Sequence, residues 1–238
     1  MKLPENFKNI AIGSYFGDGT IAKHNLCSKH YFLKISHGMS QYDYCVWKST
    51  LFGDFLAGIP YITYRTFKEK PYQCCTFATK VHPFLDQLRN YYIDGQKHIK
   101  KWMFHYLTPQ AIAIWYMDDG DFRRVNKKRS DGTPYIKFDG CRISLGIWTP
   151  SECDLISKFF LEKYEIEPKI YVESGKYRRA FFNVEKSKRF LDIVRQYIPE
   201  CMNYKLGLQQ VTSKKDDDIV WTTYRNKNVE SAEMTLRP

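Results

Sequence analysis

The sequence predicts an α+β fold built twice over, as two pseudo-symmetric units that each read α-β-β-α-β-β-α. Three observations carry this. A series of segments recurs in the same order 105–111 positions downstream. Short runs of alternating apolar and polar residues, bounded by turn residues, read as strands. Longer runs with apolar residues at helical spacing flank them.

The repeat is visible in four places. "KVHPFLDQLRNYY" (80–92) and "KSKRFLDIVRQYI" (186–198) share Lys, Phe-Leu-Asp, Arg and Tyr at a displacement of 106. "YQCCTF" (72–77) and "YRRAFF" (177–182) agree at Tyr and the final Phe, displaced by 105. "PYITY" (60–64) and "PKIYV" (168–172) agree at Pro and Ile, displaced by 108, and "SQYD" (40–43) and "SECD" (151–154) are displaced by 111. One such match means nothing, but four in series indicate a diverged duplication.

Each element follows from its letters. An apolar segment closing in Asp-Gly opens each half (7–19 and 109–120), and Thr108-Pro109 supplies the second with an N-cap and a proline in the first turn. Strand segments follow ("YFLKISH", 31–37; "CRISLGIW", 141–148), then amphipathic helices at 40–56 and 150–164, the latter started by Thr149-Pro150. Two further strands lie at 60–67 and 72–79, matched by 168–174 and 177–184, with Gly175 in the second turn. Closing helices are expected at 81–92 and 185–197. The resulting division is a first unit 1–95, a linker 96–107, a second unit 108–212, and an extension 213–238 that matches nothing in the first half.

The chain has 238 residues, enough for a substantial core. It carries 37 Lys+Arg against 26 Asp+Glu, a formal charge of +11 spread along its length, which points to a polyanion such as nucleic acid. Seven cysteines at irregular spacing, with no CxxC pair, read as reduced thiols. The opening "MKLPENFKNI" lacks a signal-peptide core and no run approaches membrane-spanning length, so a soluble, intracellular protein without a membrane partner is expected. The six histidines show no metal-ligand spacing, and no HNH, GIY-YIG or Walker pattern occurs.

The stretch "IAIWYMDDGD" (112–121) contains Tyr116-Met117-Asp118-Asp119, the letters of the metal-binding turn of reverse transcriptases. A polymerase would need that tetrapeptide in a β-turn. Here the Thr-Pro start makes 109–117 a helix, and the repeat sets Asp119 opposite Asp18 in "AIGSYFGDG" (11–19). Two helices each ending in Asp-Gly, each opening half of a duplicated basic chain, resemble the single-chain, two-motif LAGLIDADG homing endonucleases of the intron-encoded type. The resemblance spans about residues 7 to 210 and is closest in "YLTPQAIAIWYMDDG" (106–120) and "MNYKLG" (202–207). The first motif departs from the consensus: Ser14, Tyr15, Phe16 and Gly17 replace Leu-Ile-Asp-Ala. Ile114 replaces a consensus glycine in the second. The letters "LAGIP" (56–60) are a decoy without an acid.

The resemblance implies two four-stranded antiparallel sheet saddles packed through two central helices. Gly13 and Gly17, four apart on one helix face, are expected to make room for Ile114 and Trp115. It assigns metal binding to Asp18 and Asp119, one per DNA strand, with the backbone carbonyls of Gly17 and Asp118 assisting. Asp118 and Asp121 modulate the site. Phosphodiester hydrolysis needs an activated water and neutralised charge, which Mg²⁺ (or Mn²⁺) on oxygen ligands supplies. Two carboxylates at adjacent helix C-termini repel each other and the helix dipoles, an arrangement that makes sense with cations between them. Lys97 and Lys205 follow the same helix of each repeat, and in similar endonucleases a lysine from this region reaches the reacting phosphate. Alternation makes Lys34, Ser36, Tyr61, Thr63, Arg65 and Thr76 a polar sheet face in the first half. Arg142, Ser144, Lys169, Tyr171 and Arg179 form its counterpart, with Ile170 and Val172 inward. Such faces suit β-ribbon reading of a DNA groove. They differ between halves, so the implied target is long and asymmetric.

The expected protein is therefore a monomeric, metal-dependent endonuclease that cuts both strands of double-stranded DNA and promotes intron mobility. No protein-splicing segment is visible, which favours a free-standing or intron-encoded form. An RNA maturase binding group I intron RNA on the same scaffold is the alternative.

Overall fold

The structure is a computed structural model that describes residues 6–146 and 148–208. The expected extension 213–238 lies outside the described residues. Helix α1 (Phe7–Phe16) is followed by β1 (Thr20–Ala22), β2 (Phe32–Gly38), α2 (Tyr42–Thr50), β3 (Tyr61–Phe67), β4 (Lys70–Ala78) and α3 (Pro83–Arg89). A small hairpin, β5 (Tyr92–Ile93) and β6 (Gln96–Lys97), and a 3-10 turn at Lys101–Tyr106 lead to α4 (Pro109–Asp119). Then come β7 (Gly120–Lys128), β8 (Pro134–Ser144), α5 (Pro150–Tyr164), β9 (Lys169–Glu173), β10 (Tyr177–Phe182) and α6 (Val184–Val194), and a 3-10 segment at Glu200–Leu206.

The sheets repeat one topology. The first orders its strands β1-β2-β4-β3 and the second β7-β8-β10-β9, with antiparallel neighbours throughout. The main difference is the length of the first hairpin. β1 has three residues, whereas β7 and β8 extend over nine and eleven, with a register shift at Arg123/Arg124. The sequence places strands at 31–37 and 141–148 only. The rest of the long hairpin is missed because "RRVNKKRSDGTPYIK" is charged on both faces and shows no apolar alternation.

Local chemistry accounts for the helix starts. Thr108 Oγ1 accepts from the Ala111 amide, and Pro109 occupies the first turn where its missing N–H is not needed. Thr149 and Glu152 form a reciprocal capping box at α5. Asn183 caps α6 and the His82 ring caps α3. The first apolar segment stops as a helix at Phe16, and the closing helices are shorter than expected because 90–92 and 195–197 leave the α-helical path.

α1 and α4 are apolar all round and buried from Ile10 to Phe16 and from Ala111 to Met117, the pattern of central helices. They run in the same direction at backbone contact. A Cβ placed on Gly13 would meet the Ala111 carbonyl oxygen at 2.5 Å, and one on Gly17 would meet Asp118 Oδ2 at 2.2 Å. The glycines do make room, but for Ala111 and Asp118 and not for Ile114 and Trp115. Trp115 instead packs edge-on against Phe16, ring centroids 5.1 Å apart, and Trp148 lies 5.8 Å from the same ring. This aromatic seam joins the two halves.

Gly13→Val should therefore push α1 off α4. We expect a loss of about 1–3 kcal/mol in urea denaturation. Gly58→Val, where an added Cβ meets nothing within 4 Å, should stay within about 1 kcal/mol of the parent.

Candidate active site

The end of each central helix brings an acid to one cleft. Gly17, Asp18, Lys97, Asp119, Ser144 and Gly146 line a cavity of about 300 Å³. Asp18 and Asp119, a hundred positions apart in the chain, are thus neighbours. The tetrapeptide Tyr116-Met117-Asp118-Asp119 is the last turn of α4 and not a hairpin.

Both cleft acids are hard to ionise. Burial, then the charges of Asp18 and Asp118, push the Asp119 carboxyl up to about 7. Partial burial and the Asp118 charge likewise raise Asp18, whose side chain keeps 44% of its surface. Asp118 behaves in the opposite way. Its burial would raise it, but Lys48 and His37 outweigh that, and its carboxyl sits below the ordinary carboxylate range.

Lys97 lines the cleft, and Lys205 lies beside it at the end of the other central helix. Lys97 Nζ donates to the carbonyls of Gly17 (2.6 Å) and Tyr15 (3.0 Å), and Lys205 Nζ donates to the carbonyl of Gly120. Cationic donors at helix C-termini satisfy orphan carbonyls and complement the dipole. Burial lowers Lys97 to about 8, against the opposing pull of Asp119 and Asp18. Lys205 is lowered by the same cause. The neighbours Lys100 and Lys101, which leave the sequence register ambiguous, do not line this cleft.

A pair of tyrosines at equivalent repeat positions holds these lysines, and sequence reasoning missed them. The Tyr15 hydroxyl donates to the His98 carbonyl (2.9 Å), one residue from Lys97, and the Tyr116 hydroxyl donates to the Lys205 carbonyl (2.9 Å). The signal was available, since Tyr15 and Tyr116 stand three residues before Asp18 and Asp119 in the aligned motifs. Buried Glu152 adds a further anchor, accepting from the Ile99 amide at 2.6 Å and lying 3.1 Å from His98 Nδ1.

His37, Tyr44 and Lys48 were also missed. His37 is buried beside both acids, with Nδ1 3.4 Å from Asp18 Oδ2 and Nε2 3.9 Å from Asp118 Oδ1. Burial and Lys48 lower it to about 4, so the ring is neutral near pH 7. Asp18, His37 and Asp118 each offer one possible ligand atom within 4.8 Å of one another. The Lys48 ammonium already sits 2.7 Å from Asp118, however, where a second cation would be repelled.

The expected DNA-facing residues fare unevenly. Lys34, Ser36, Tyr61, Thr63 and Arg65 share one face of the first sheet, as register pairing requires. Thr76 shares it but is fully buried, its hydroxyl 2.8 Å from both Ser36 and Thr63, so it supports the face and does not reach beyond it. In the second sheet Ser144, Arg179, Tyr171, Arg142 and Lys169 share a face. Arg142 is tied to Asp121 (3.0 Å) and Glu173 (2.7 Å), and Arg179 to Glu173 (3.0 Å). Val172, expected inward, is 53% exposed.

Two duplicated α+β halves, central helices ending in paired acids, and flanking lysines define a nuclease-like scaffold. Residues 8–190 match the LAGLIDADG DNA endonuclease family, and the chain belongs to it. Its fold is similar to that of the homing endonuclease I-WcaI, solved bound to its DNA recognition sequence, with a TM-score of 0.72 and 21% identity over 87% of this chain and 88% of that one. It is 28% identical over 211 residues to Protein RecA of Mycolicibacterium flavescens, covering 86% of this chain and 47% of that protein. The chain thus spans about half the length of such curated relatives. It is 20% identical over 222 residues to DNA endonuclease I-ChuI of Chlamydomonas applanata, covering 87% of this chain and 97% of that protein. It is also similar to cytochrome b mRNA maturase bI2 of Debaryomyces hansenii, 26% identical over 125 residues and 52% of this chain. No helix among the described residues is long and apolar enough to cross a membrane.

A raised carboxyl takes stability away as it ionises. Asp119 holds its proton to a higher pH folded than unfolded, so stability should fall as pH climbs from about 4, the unfolded value, to about 7. Without divalent ions, Asp119→Asn should melt above the parent at pH 8, by about 1–2 kcal/mol after allowing for solvent screening. That gain should shrink to near zero at pH 4 in a thermal denaturation series.

Proposed function

We propose that the chain is a site-specific, divalent-metal-dependent endonuclease that hydrolyses one phosphodiester in each strand of a long, asymmetric DNA duplex. The observation that carries this reading is the convergence of Asp18 and Asp119 with Lys97 in one cleft between the two halves. Burial and neighbouring carboxylates raise both acids toward protonation, and hard oxygen donors of this kind suit Mg²⁺ or Mn²⁺. Asp18 and Asp119 would hold the ions. The Gly17 carbonyl, shared with Lys97, and the backbone of Asp118 would assist. A bound divalent ion supplies Lewis-acid stabilisation of the phosphate and a more acidic water.

The remaining work falls to the chain's own groups. Lys97, partly buried, and Lys205, buried, place donors beside the cleft, where they would stabilise developing negative charge on phosphate oxygens. Their depressed affinity for protons also lets them take part in proton transfer near neutral pH. Ser144, at the cleft edge and on the sheet face, links the site to the surface that would meet the duplex. Lys34, Tyr61, Arg65, Lys169 and Tyr171 would position and read DNA there, within a monomer that already contains both halves. The likeness to a maturase over half of the chain favours a second reading, intron RNA binding in aid of splicing.

The test uses a supercoiled plasmid carrying the intronless insertion junction. We expect Mg²⁺-dependent linearisation, no cutting in EDTA, and a drop of at least about 100-fold for Asp18→Asn or Asp119→Asn, the scale of losing one electrostatic stabiliser. Tight binding of intron RNA with no cutting of any junction DNA would favour the maturase reading.

A further inference from the structure

The cleft acids are not supported alike. The Asp118 side chain is fully buried, and both of its oxygens are engaged. Oδ1 accepts from the Tyr44 hydroxyl (2.7 Å) and from Lys48 Nζ (2.9 Å). Oδ2 accepts from Lys48 Nζ (2.7 Å) and from the backbone amide of Asp18 (3.0 Å). Lys48, at the far end of this bridge, is itself fully buried. A buried ion pair is a poor source of stability, because desolvating two charges consumes most of what their attraction returns. What this one does is geometric. It runs from α2, through a side chain of α4, to the peptide that carries Asp18.

Among the described residues the other half has no counterpart. Gly17 stands where the repeat places Asp118, and any side chain there would collide with Asp118. The residue matching Lys48, at the displacement of 111 set by "SQYD" and "SECD", is Phe159, which stacks on Phe104 at 5.0 Å. The glycine, the aspartate and the lysine therefore form one arrangement that serves a single acid.

We propose that Lys48 and Asp118 are positioning residues for Asp18 alone, fixing the end of α1 so that its carboxylate meets Asp119 across the cleft. The inference rests on the endonuclease reading for its effect on rate, and on the fold alone for its effect on geometry. Loss of the bridge should impair the half of the reaction that depends on Asp18 and leave the other half in place. The signature is nicked DNA.

The experiment compares Lys48→Met/Asp118→Ala with Lys48→Met/Asp118→Asn. Both remove the ion pair without stranding a buried charge, so both should fold. Only the asparagine keeps an oxygen able to accept from the Asp18 amide. On end-labelled junction duplex with Mg²⁺, the alanine double variant should cut one strand at least about tenfold more slowly than the other, whereas the asparagine variant should cut both at comparable rates. Equal slowing of both strands by the alanine variant, or equal strand bias in both variants, overturns the proposal.

Amide hydrogen exchange reads the same bridge without DNA. The Asp18 amide should exchange about tenfold faster in the alanine variant than in the asparagine variant. The Gly19 amide, bonded to the Ser14 carbonyl at 2.7 Å, should match in the two and serves as the internal control. Equal Asp18 protection in both variants refutes the positioning role even if no junction is ever cut. Absence of cutting by the parent counts instead against the endonuclease reading.

Discussion

The close approach of α1 and α4 is the constraint from which the rest follows. The two helices touch through backbone at Gly13 and Ala111, so their last turns cannot diverge far before Asp18 and Asp119. The acids are therefore forced together at the C-terminal ends of two dipoles, where negative charge is least welcome. The aromatic seam of Phe16, Trp115 and Trp148 backs this approach with buried area that a polar interface would lack. The crowded acid pair arises here as a by-product of packing: the energy that closes the helix pair also holds two carboxylates where water alone would let them separate.

Such crowding must be offset locally, and the molecule does so with one buried and one partly buried amine. Lys97 and Lys205 point at helix-end carbonyls from opposite halves; Tyr116 holds the Lys205 backbone and Tyr15 holds that of His98, next to Lys97. Depth makes their attraction stronger than a surface pair would give, because screening by salt and water is reduced. It also lowers their hold on protons. One set of contacts thus balances the acids and tunes the bases.

Sequence reasoning reached the elements that leave a local signature. Thr108-Pro109 and Thr149-Pro150 marked helix starts because capping is a short-range hydrogen-bonding problem. Asp18, Asp119, Lys97 and Lys205 emerged because duplication doubled each signal. What stayed hidden depends on tertiary contact. Lys48 lies in an ordinary amphipathic stretch, and nothing in "YDYCVWKST" announces that its amine is buried against a residue 70 positions away. The exposure of Val172 was hidden too, since alternation gives the face of a side chain but not whether a helix extends over it. Thr76 illustrates the same limit on the polar face, where neighbouring hydroxyls cover it.

The departures from two-fold symmetry are concentrated where the halves meet or face outward. Gly17 against Asp118, a three-residue β1 against the long β7–β8 hairpin, and the Arg142–Glu173–Arg179 ion cluster of the second sheet are places where the halves differ. The buried core tolerates little change, so the repeat survives there in Tyr15 and Tyr116 and in the paired Phe77 and Phe182. A protein needing only a stable duplicated fold has no reason to sort its differences in this way. The proposed endonuclease, which would treat the two strands of an asymmetric duplex separately, has every reason to do so. Each face can then diverge to fit its own half of the target, while the central helices stay locked in the one geometry that keeps both acids in a shared cleft.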